Sequence, residues 1–288
     1  MTVNQRRDRF EAFAAKKTAE ASGATIPGLI TELDRAAGEL EPIGNDWSRR
    51  LFDGDFYLSP ALEGSRPACN LVFVQSSDGN TVTNDPSTLG GGQADKHLIY
   101  EGLSQVAADA VLSGAHTIGG DIVFSVWHPE LVRLRAALGK PRHPIQIIAT
   151  LRGLDLDRHL LFNVPEIPVL VLTIPSGAEH MQAAFETRPW VTPIVMEGPD
   201  ELSAAFQEFR RRGIARVCAV GGRTIATQLV DAGLVQDVYL TTSPRPGGAP
   251  GTPFYPRPLN ARPIVRKHGT GPESGVIFEH LQLGSAPS

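Results

Sequence analysis

Gly221 and Gly222 stand between an apolar run at 216–220 and a segment from 223 to 232 that reads as a helix stopped by Gly233. Glycine lets backbone amides approach a ligand, and the free amides and dipole at a helix N-terminus favour an anion. Gly221, Gly222, Arg223 and Thr224 are therefore a candidate phosphate-binding turn, although a Gly-Gly pair equally suits a plain tight bend. The pattern has neither the Gly-x-Gly-x-x-Gly of a dinucleotide fingerprint nor the Lys-Ser/Thr of a P-loop. A second candidate is the apolar run ending at Gly114, followed by Ala115, His116 and Thr117, where the threonine hydroxyl can bond a phosphate or a ribose. No cysteine or serine nucleophile motif accompanies His116, which reads as a packed or solvated loop histidine. Gln75-Ser76-Ser77-Asp78-Gly79 is a third: it puts a carboxylate beyond the first core strand, near the sheet mouth where open α/β sheets bind ligands, but Asp-Gly is also an ordinary turn signal. Gly90, Gly91 and Gly92 precede a helical segment and suit a mobile substrate loop or a simple linker.

These loops need strands to hold them. Apolar, β-branched runs occur at 70–75, 109–113, 144–149, 167–173, 191–196, 216–220 and 235–242, with a more alternating run at 274–283. Near-continuous apolar character predicts strands covered on both faces, and hence an α/β fold around a mostly parallel sheet. Pro193 places its strand towards an edge. A helix is expected over 200–212, with Asp200 and Glu201 at its start, Arg210, Arg211 and Arg212 at its end, and Gly213 as its stop. Residues 1–64 are charged and Ala-rich, then broken by Pro27, Pro42 and Pro60; they predict a helical appendage, with helices near 5–21 and 29–40, attached to a main domain over 65–288.

Composition bounds the partners. A formal net charge of −4, from 31 acidic residues against 27 Lys and Arg, offers no global positive field for nucleic acid or an anionic membrane. Cys69 and Cys218 lie far apart with no Cys-x-x-Cys spacing, so two buried thiols are expected and neither a disulfide framework nor a metal site. No apolar run approaches the length of a membrane span and the N-terminus lacks an apolar signal core; the expectation is a cytoplasmic protein acting on a small molecule.

Taken in order, the motifs resemble the reductase domain of riboflavin biosynthesis, the C-terminal half of the bacterial deaminase/reductase and a member of the dihydrofolate-reductase-like family. Ser76-Ser77-Asp78-Gly79 resembles its Ser-Leu-Asp-Gly, and 109–117 its Asp-Ala-x-x-x-Gly-x-x-Thr. Val220-Gly221-Gly222 with Gly233-Leu234-Val235-Gln236-Asp237 resembles its Gly-Gly, helix, Ala-Gly-Leu-Val-Asp-Glu segment, and Pro244, Gly247-Gly248 and Phe254 the run that follows. The likeness spans about 68–283. It implies a three-layer αβα fold with a mostly parallel sheet and an antiparallel C-terminal strand, NADPH as hydride donor, and a homodimer. By that resemblance Gly221, Gly222, Arg223 and Thr224, with Gly114, Ala115 and Thr117, hold the cofactor. Thr150 and Arg152, just past the strand at 144–149, are candidates for the adenosine 2′-phosphate. Asp78 is the catalytic or substrate-orienting acid, with Ser76, Gly91 and Gly92 on the substrate side. Where the family often has an Arg four residues before the Asp of its second motif, this chain has Gln105; Gly92-Gln93-Ala94-Asp95 replaces its Ser-Lys/Arg-Trp-Ile. Both changes thin out positive charge for a ribosyl phosphate. No His-x-Glu followed by Pro-Cys-x-x-Cys occurs, so zinc deamination is not expected. The expected activity is that of a 5-amino-6-(5-phosphoribosylamino)uracil reductase; reduction of a pterin or dihydrofolate, or nucleotide binding without turnover, are the alternatives.

Overall fold

The computed structural model describes residues 3–36, 38, 40–61, 64–83, 86–119 and 121–284. Among these, the N-terminal part carries α1 (Val3–Gly23), β1 (Leu29–Asp34), β2 (Glu41–Ile43), α2 (Asp46–Phe52) and β3 (Phe56–Leu58). The core strands follow as β4 (Ala68–Gln75), β5 (Ala110–Gly114), β6 (Ile145–Ala149), β7 (Val169–Thr173), β8 (Val191–Val195) and β9 (Arg216–Ala219). Then come β10 (Asp237–Thr242), β11 (Ala261–Gly269) and β12 (Ile277–Leu283). Between β4 and β5 a kinked π-helical run, Ala94–Leu103, leads into α3 (Ser104–Val106). The remaining helices are α4 (Pro129–Ala137), α5 (Pro175–Glu186), α6 (Leu202–Arg211) and α7 (Arg223–Asp231).

Ten strands form one sheet in the order β1-β11-β12-β10-β4-β9-β5-β6-β7-β8. From β10 to β8 all neighbours are parallel; β12 runs antiparallel to both β10 and β11, and β1 antiparallel to β11. Successive side chains serve opposite faces, as strand geometry requires: on β4, Leu71 and Phe73 join one buried cluster and Val72 the other. Phe206 and Phe209 of α6 and Leu229 of α7 close the first face, while Leu98, Ile99 and Leu131 close the second, giving three layers. β7 is buried at every position, which is why its sequence is continuously apolar. Pro193 lies in β8, at the outer edge of the sheet, where a missing amide costs no ladder bond on the open side. Gly213 follows α6 at φ +84°, the left-handed stop expected of it.

Two local expectations fail. The stretch 29–40 was expected to be helical, but Leu29–Asp34 is a strand whose alternating burial and pairing with β11 outweigh its helix-compatible composition. β11 was not anticipated, because Arg262, Pro263, Arg266 and Lys267 break its apolar pattern. Its charges are satisfied by the fold: Arg266 pairs with Glu279 on β12, and buried Lys267 donates to Thr31 Oγ1 (2.6 Å) and Asp53 O (3.0 Å).

Candidate functional site

Because the central strands are parallel, loops far apart in sequence emerge along one edge of the sheet. The order β4-β9-β5-β6 sets Ser76–Gly79, Gly221–Gly222, Gly114–Thr117 and Thr150–Arg152 in a row at the carboxyl ends of the strands, the usual ligand edge of such sheets.

At the centre of the row, Gly221 (φ +137°) and Gly222 (φ +86°) both take backbone conformations that disfavour side chains. Gly222 caps α7 with no side-chain bond of its own, so the first-turn amides of this nine-residue helix face out of the turn. A Cβ on Gly222 would lie 3.5 Å from Gly114 N, and one on Gly221 would lie 3.4 Å from Thr117 Cγ2. The two expected cofactor loops therefore touch. Gly114 and Ala115 are half-buried and Thr224 is exposed. Arg223 turns away, its Nε donating to Pro253 O at 2.6 Å. One strand further along, Thr150 Oγ1 donates to Gly153 O at 3.1 Å and Arg152 is exposed. His116 is exposed on a 3₁₀ turn.

On the other side, the Ser76–Gly79 turn is stitched to the loop after β10. Ser77 N donates to Arg245 O, and Ser76 Oγ donates to Gly247 O at 2.9 Å while accepting from Asn80 N at 3.2 Å. The Ser76 hydroxyl is thus committed to holding the loop. Asp78 is exposed and accepts long bonds (3.4 Å) from Ser77 Oγ and Asn80 Nδ2. Gly91 and Gly92 are required by close packing: a Cβ on Gly91 would meet Val74 Cγ2 at 2.8 Å, and one on Gly92 would run into the Glu273 carboxylate. That carboxylate accepts from Gln93 N (2.6 Å) and Ala94 N (3.2 Å), and so caps the start of the Ala94–Leu103 run.

Three further residues meet here. Asp95 is one position into that run, and Thr241 lies opposite Val74 at the end of β10. Tyr100 donates through Oη to Val220 O at 3.4 Å, beside the glycine turn. Burial pushes the Asp95 carboxyl up to about 7; the Thr241 hydroxyl favours its charged form, and the Glu273 carboxylate adds to the rise. Burial also raises the Tyr100 phenol, helped by the nearby Glu101, Cys218 and Asp95. Glu273 carried no signal in the sequence. In the sequence Asp95 counts only among the replaced residues 92–95, although an acid three positions after the glycine run is a visible signal.

A family model described as the RibD C-terminal domain matches residues 67–268. The chain belongs to the RibD C-terminal domain family. Among solved structures, a pyrimidine reductase-like protein from Corynebacterium diphtheriae is 20% identical, with 76% of this chain and 93% of that one covered and a TM-score of 0.61. Acinetobacter baumannii RibD is 17% identical, over 78% of this chain and 60% of its own, with a TM-score of 0.56. The riboflavin biosynthesis reductase Rib7 of Saccharomyces cerevisiae is 17% identical, over 78% and 93%, with a TM-score of 0.52. At such identities the likeness is one of fold, the dihydrofolate-reductase-like α/β architecture. No curated protein matches the chain significantly. Where members of the RibD C-terminal domain family often carry an Arg, Gln105 is buried and donates through Nε2 to Tyr100 O at 2.7 Å. Cys69 and Cys218 are both buried and free. Among the described residues no group of His, Cys, Asp and Glu could hold a metal ion, and no helix is long and apolar enough to cross a membrane.

Proposed function

We propose that this chain is an NADPH-dependent reductase acting on a ribosylaminopyrimidine, in the manner of a 5-amino-6-(5-phosphoribosylamino)uracil reductase. The observation that carries the reading is the contact between the Gly221–Gly222 turn and the Gly114–Thr117 loop: a glycine pair at a helix N-terminus with Gly114 and Thr117 packed against it, suited to receive a pyrophosphate. In this reading Gly114, Ala115, Thr117, Gly221, Gly222 and Thr224 hold the dinucleotide, Arg223 braces their turn, and Thr150 and Arg152 meet its 2′-phosphate. The bound dinucleotide supplies the hydride; the chain supplies position and electrostatics. Asp78, at the rim beside Ser76, orients the substrate, and the Gly91–Gly92 loop closes its side of the cleft. Asp78→Asn is accordingly expected to raise KM several-fold with little change in kcat.

Residues 65–288 carry the proposed reductase site and residues 1–64 are packed into the same unit, lending β1 to its sheet and Phe52 and Phe56 to its core, with a homodimer in the cytoplasm as the working form on the strength of the family resemblance. The deciding experiment follows NADPH oxidation by the purified chain with 5-amino-6-(5-phosphoribosylamino)uracil, a dihydropterin and dihydrofolate. Turnover of the first supports the proposal; no oxidation with any acceptor leaves a nucleotide-binding protein without turnover. One observation favours the pterin-like alternative. Gln105 is buried and bonded to the backbone, and residues 92–95 bear no positive charge, so two positions that often hold charge for a ribosyl phosphate have none to offer.

A further inference from the structure

Asp95 Oδ1 and Thr241 Oγ1 are both sealed from solvent, and apart from each other neither has a hydrogen-bond partner among the described residues. Thr241 is 2% exposed. Each hydrogen bond that such buried atoms leave unmade costs about 1–3 kcal/mol, so a carboxyl with only a hydroxyl to turn to needs a reason. Their position supplies one. Thr241 and Val74 are register partners at the carboxyl ends of β10 and β4, and Gly91, packed on Val74, holds its Cα so that a Cβ would stand 3.0 Å from Asp95 Cβ and Cγ. Tyr100 reaches from the same helical run to Val220 O, the residue before the glycine turn. The carboxyl and hydroxyl thus lie beside the glycine loop on the substrate side, in the run whose Tyr100 reaches the turn assigned to the dinucleotide.

Resting on the reductase reading above, we propose that Asp95 gives the proton that completes reduction of the substrate, with Thr241 sharing the hydrogen bond to it, and that Glu273 is the positioning residue for both. In reduction of a C=N bond, the carbon takes one hydride with its electron pair from the dihydronicotinamide, which is thereby oxidised. The former π pair moves to nitrogen, which then needs one proton. Asp95 supplies it by breaking its O–H bond, is left as a carboxylate, and is reprotonated from water. Asp78 is ill placed for this, being exposed and bonded within its own turn.

Glu273 acts through Asp95 in two ways. By accepting from Gln93 N and Ala94 N it fixes the first turn of the run that carries Asp95, and its negative charge makes ionisation of Asp95 harder. The charged or titratable groups facing Asp95 are Glu273, from the turn between β11 and β12, and Tyr100, from its own run. With burial as the main cause and Glu273 adding to it, the carboxyl is held at about 7, so a good part of it keeps its proton at neutral pH.

The experiment measures kcat against pH for the wild type, Asp95→Asn, Glu273→Gln and Thr241→Val, with whichever of the three acceptors the wild type reduces, and NADPH binding by calorimetry for each. Wild-type kcat should fall as pH rises through about 7, because the donor must be protonated. Asp95→Asn should lose roughly 10²-fold or more in kcat, and lose that pH dependence, with NADPH affinity unchanged. Glu273→Gln should move the midpoint to lower pH, a shift that a merely structural role would not produce. Thr241→Val should lower kcat and move the midpoint to higher pH, because the hydroxyl favours the charged carboxylate. Asp95→Asn with wild-type kcat and profile would overturn the proposal and leave the reductase reading intact. A wild type that oxidises NADPH with no acceptor overturns that reading and the donor role with it. Should Asp95→Asn not fold, an unmoved midpoint in Glu273→Gln overturns the proposal on its own.

Discussion

Gly222 offers the sharpest test at the scale of single residues, because its backbone conformation and its surroundings both exclude a side chain. A Cβ there would meet Ile225 Cγ2 at 3.2 Å and Gly114 N at 3.5 Å, at φ +86°. Gly222→Val is expected to abolish NADPH binding in protein that keeps its native circular dichroism, at a stability cost of about 1–2 kcal/mol for the left-handed conformation. Calorimetry checks it; normal affinity would reduce the turn to a bend. Arg152 tests cofactor choice. Its guanidinium is exposed past β6, free to meet a 2′-phosphate, so Arg152→Ala should cost about 1.5–3 kcal/mol of NADPH affinity and spare NADH. Titration with both nucleotides decides, since an equal loss for the two, or none, rules the contact out.

Among the elements, α1 is the one whose docking can be read through pH. Phe10 packs edge-on to His143 (ring centroids 5.6 Å apart) and Phe13 to Trp127 (5.5 Å), while Lys17 reaches Glu101 at 2.5 Å. His143 also bonds Ser125 Oγ at 2.9 Å. Burial, with Arg142 and Arg135 nearby, pushes His143 down to about 4 from its ordinary 6.5. A histidine whose folded value is depressed binds protons more readily when unfolded, so it favours the fold above about 6.5 and loses that contribution as pH falls towards 4. Between those limits wild-type stability should drop by about 1–3 kcal/mol more than that of His143→Gln. Urea unfolding at pH 7 and pH 4.5 measures the difference; equal slopes for the two proteins would show that His143 titrates normally.

Over the whole molecule, the N-terminal part is built into the core. Phe56 is 1% exposed and packs its ring, tilted, with its centroid 4.5 Å from that of Tyr239 on β10, with Phe52 and Phe278 around it. Three residues later, Ser59 donates through N and Oγ to buried Asp237, which also meets His280 at 2.8 Å. Phe56→Ala should therefore cost about 3–5 kcal/mol, as for other buried aromatics. Chemical denaturation reads that value directly. A loss below about 1 kcal/mol, the range of ordinary surface substitutions and small repackings, would mean that residues before β4 merely rest on the sheet.

What the sequence determined by itself was whatever depends on local pattern. Continuous apolar runs marked the strands β4 to β10, of which all but the edge strand β8 are largely buried, paired glycines marked the turn before α7, and Arg210–Gly213 marked the end of α6, because each is enforced by burial or backbone geometry within a few residues. The order of four short motifs carried the family. Tertiary structure alone decided the rest. Leu29–Asp34 is a strand only because β11 is there to pair with it, and β11 tolerates a buried Lys267 only because Thr31 and Asp53 come back to accept its hydrogen bonds. Glu273 meets Gln93 from 180 residues away, and Asp95 finds Thr241 across 145 intervening positions, so no window of sequence could show either. Local rules fix which residues can extend or turn. Which carboxyl is buried, and beside which charge, is settled only when the parallel sheet gathers its loops along one edge.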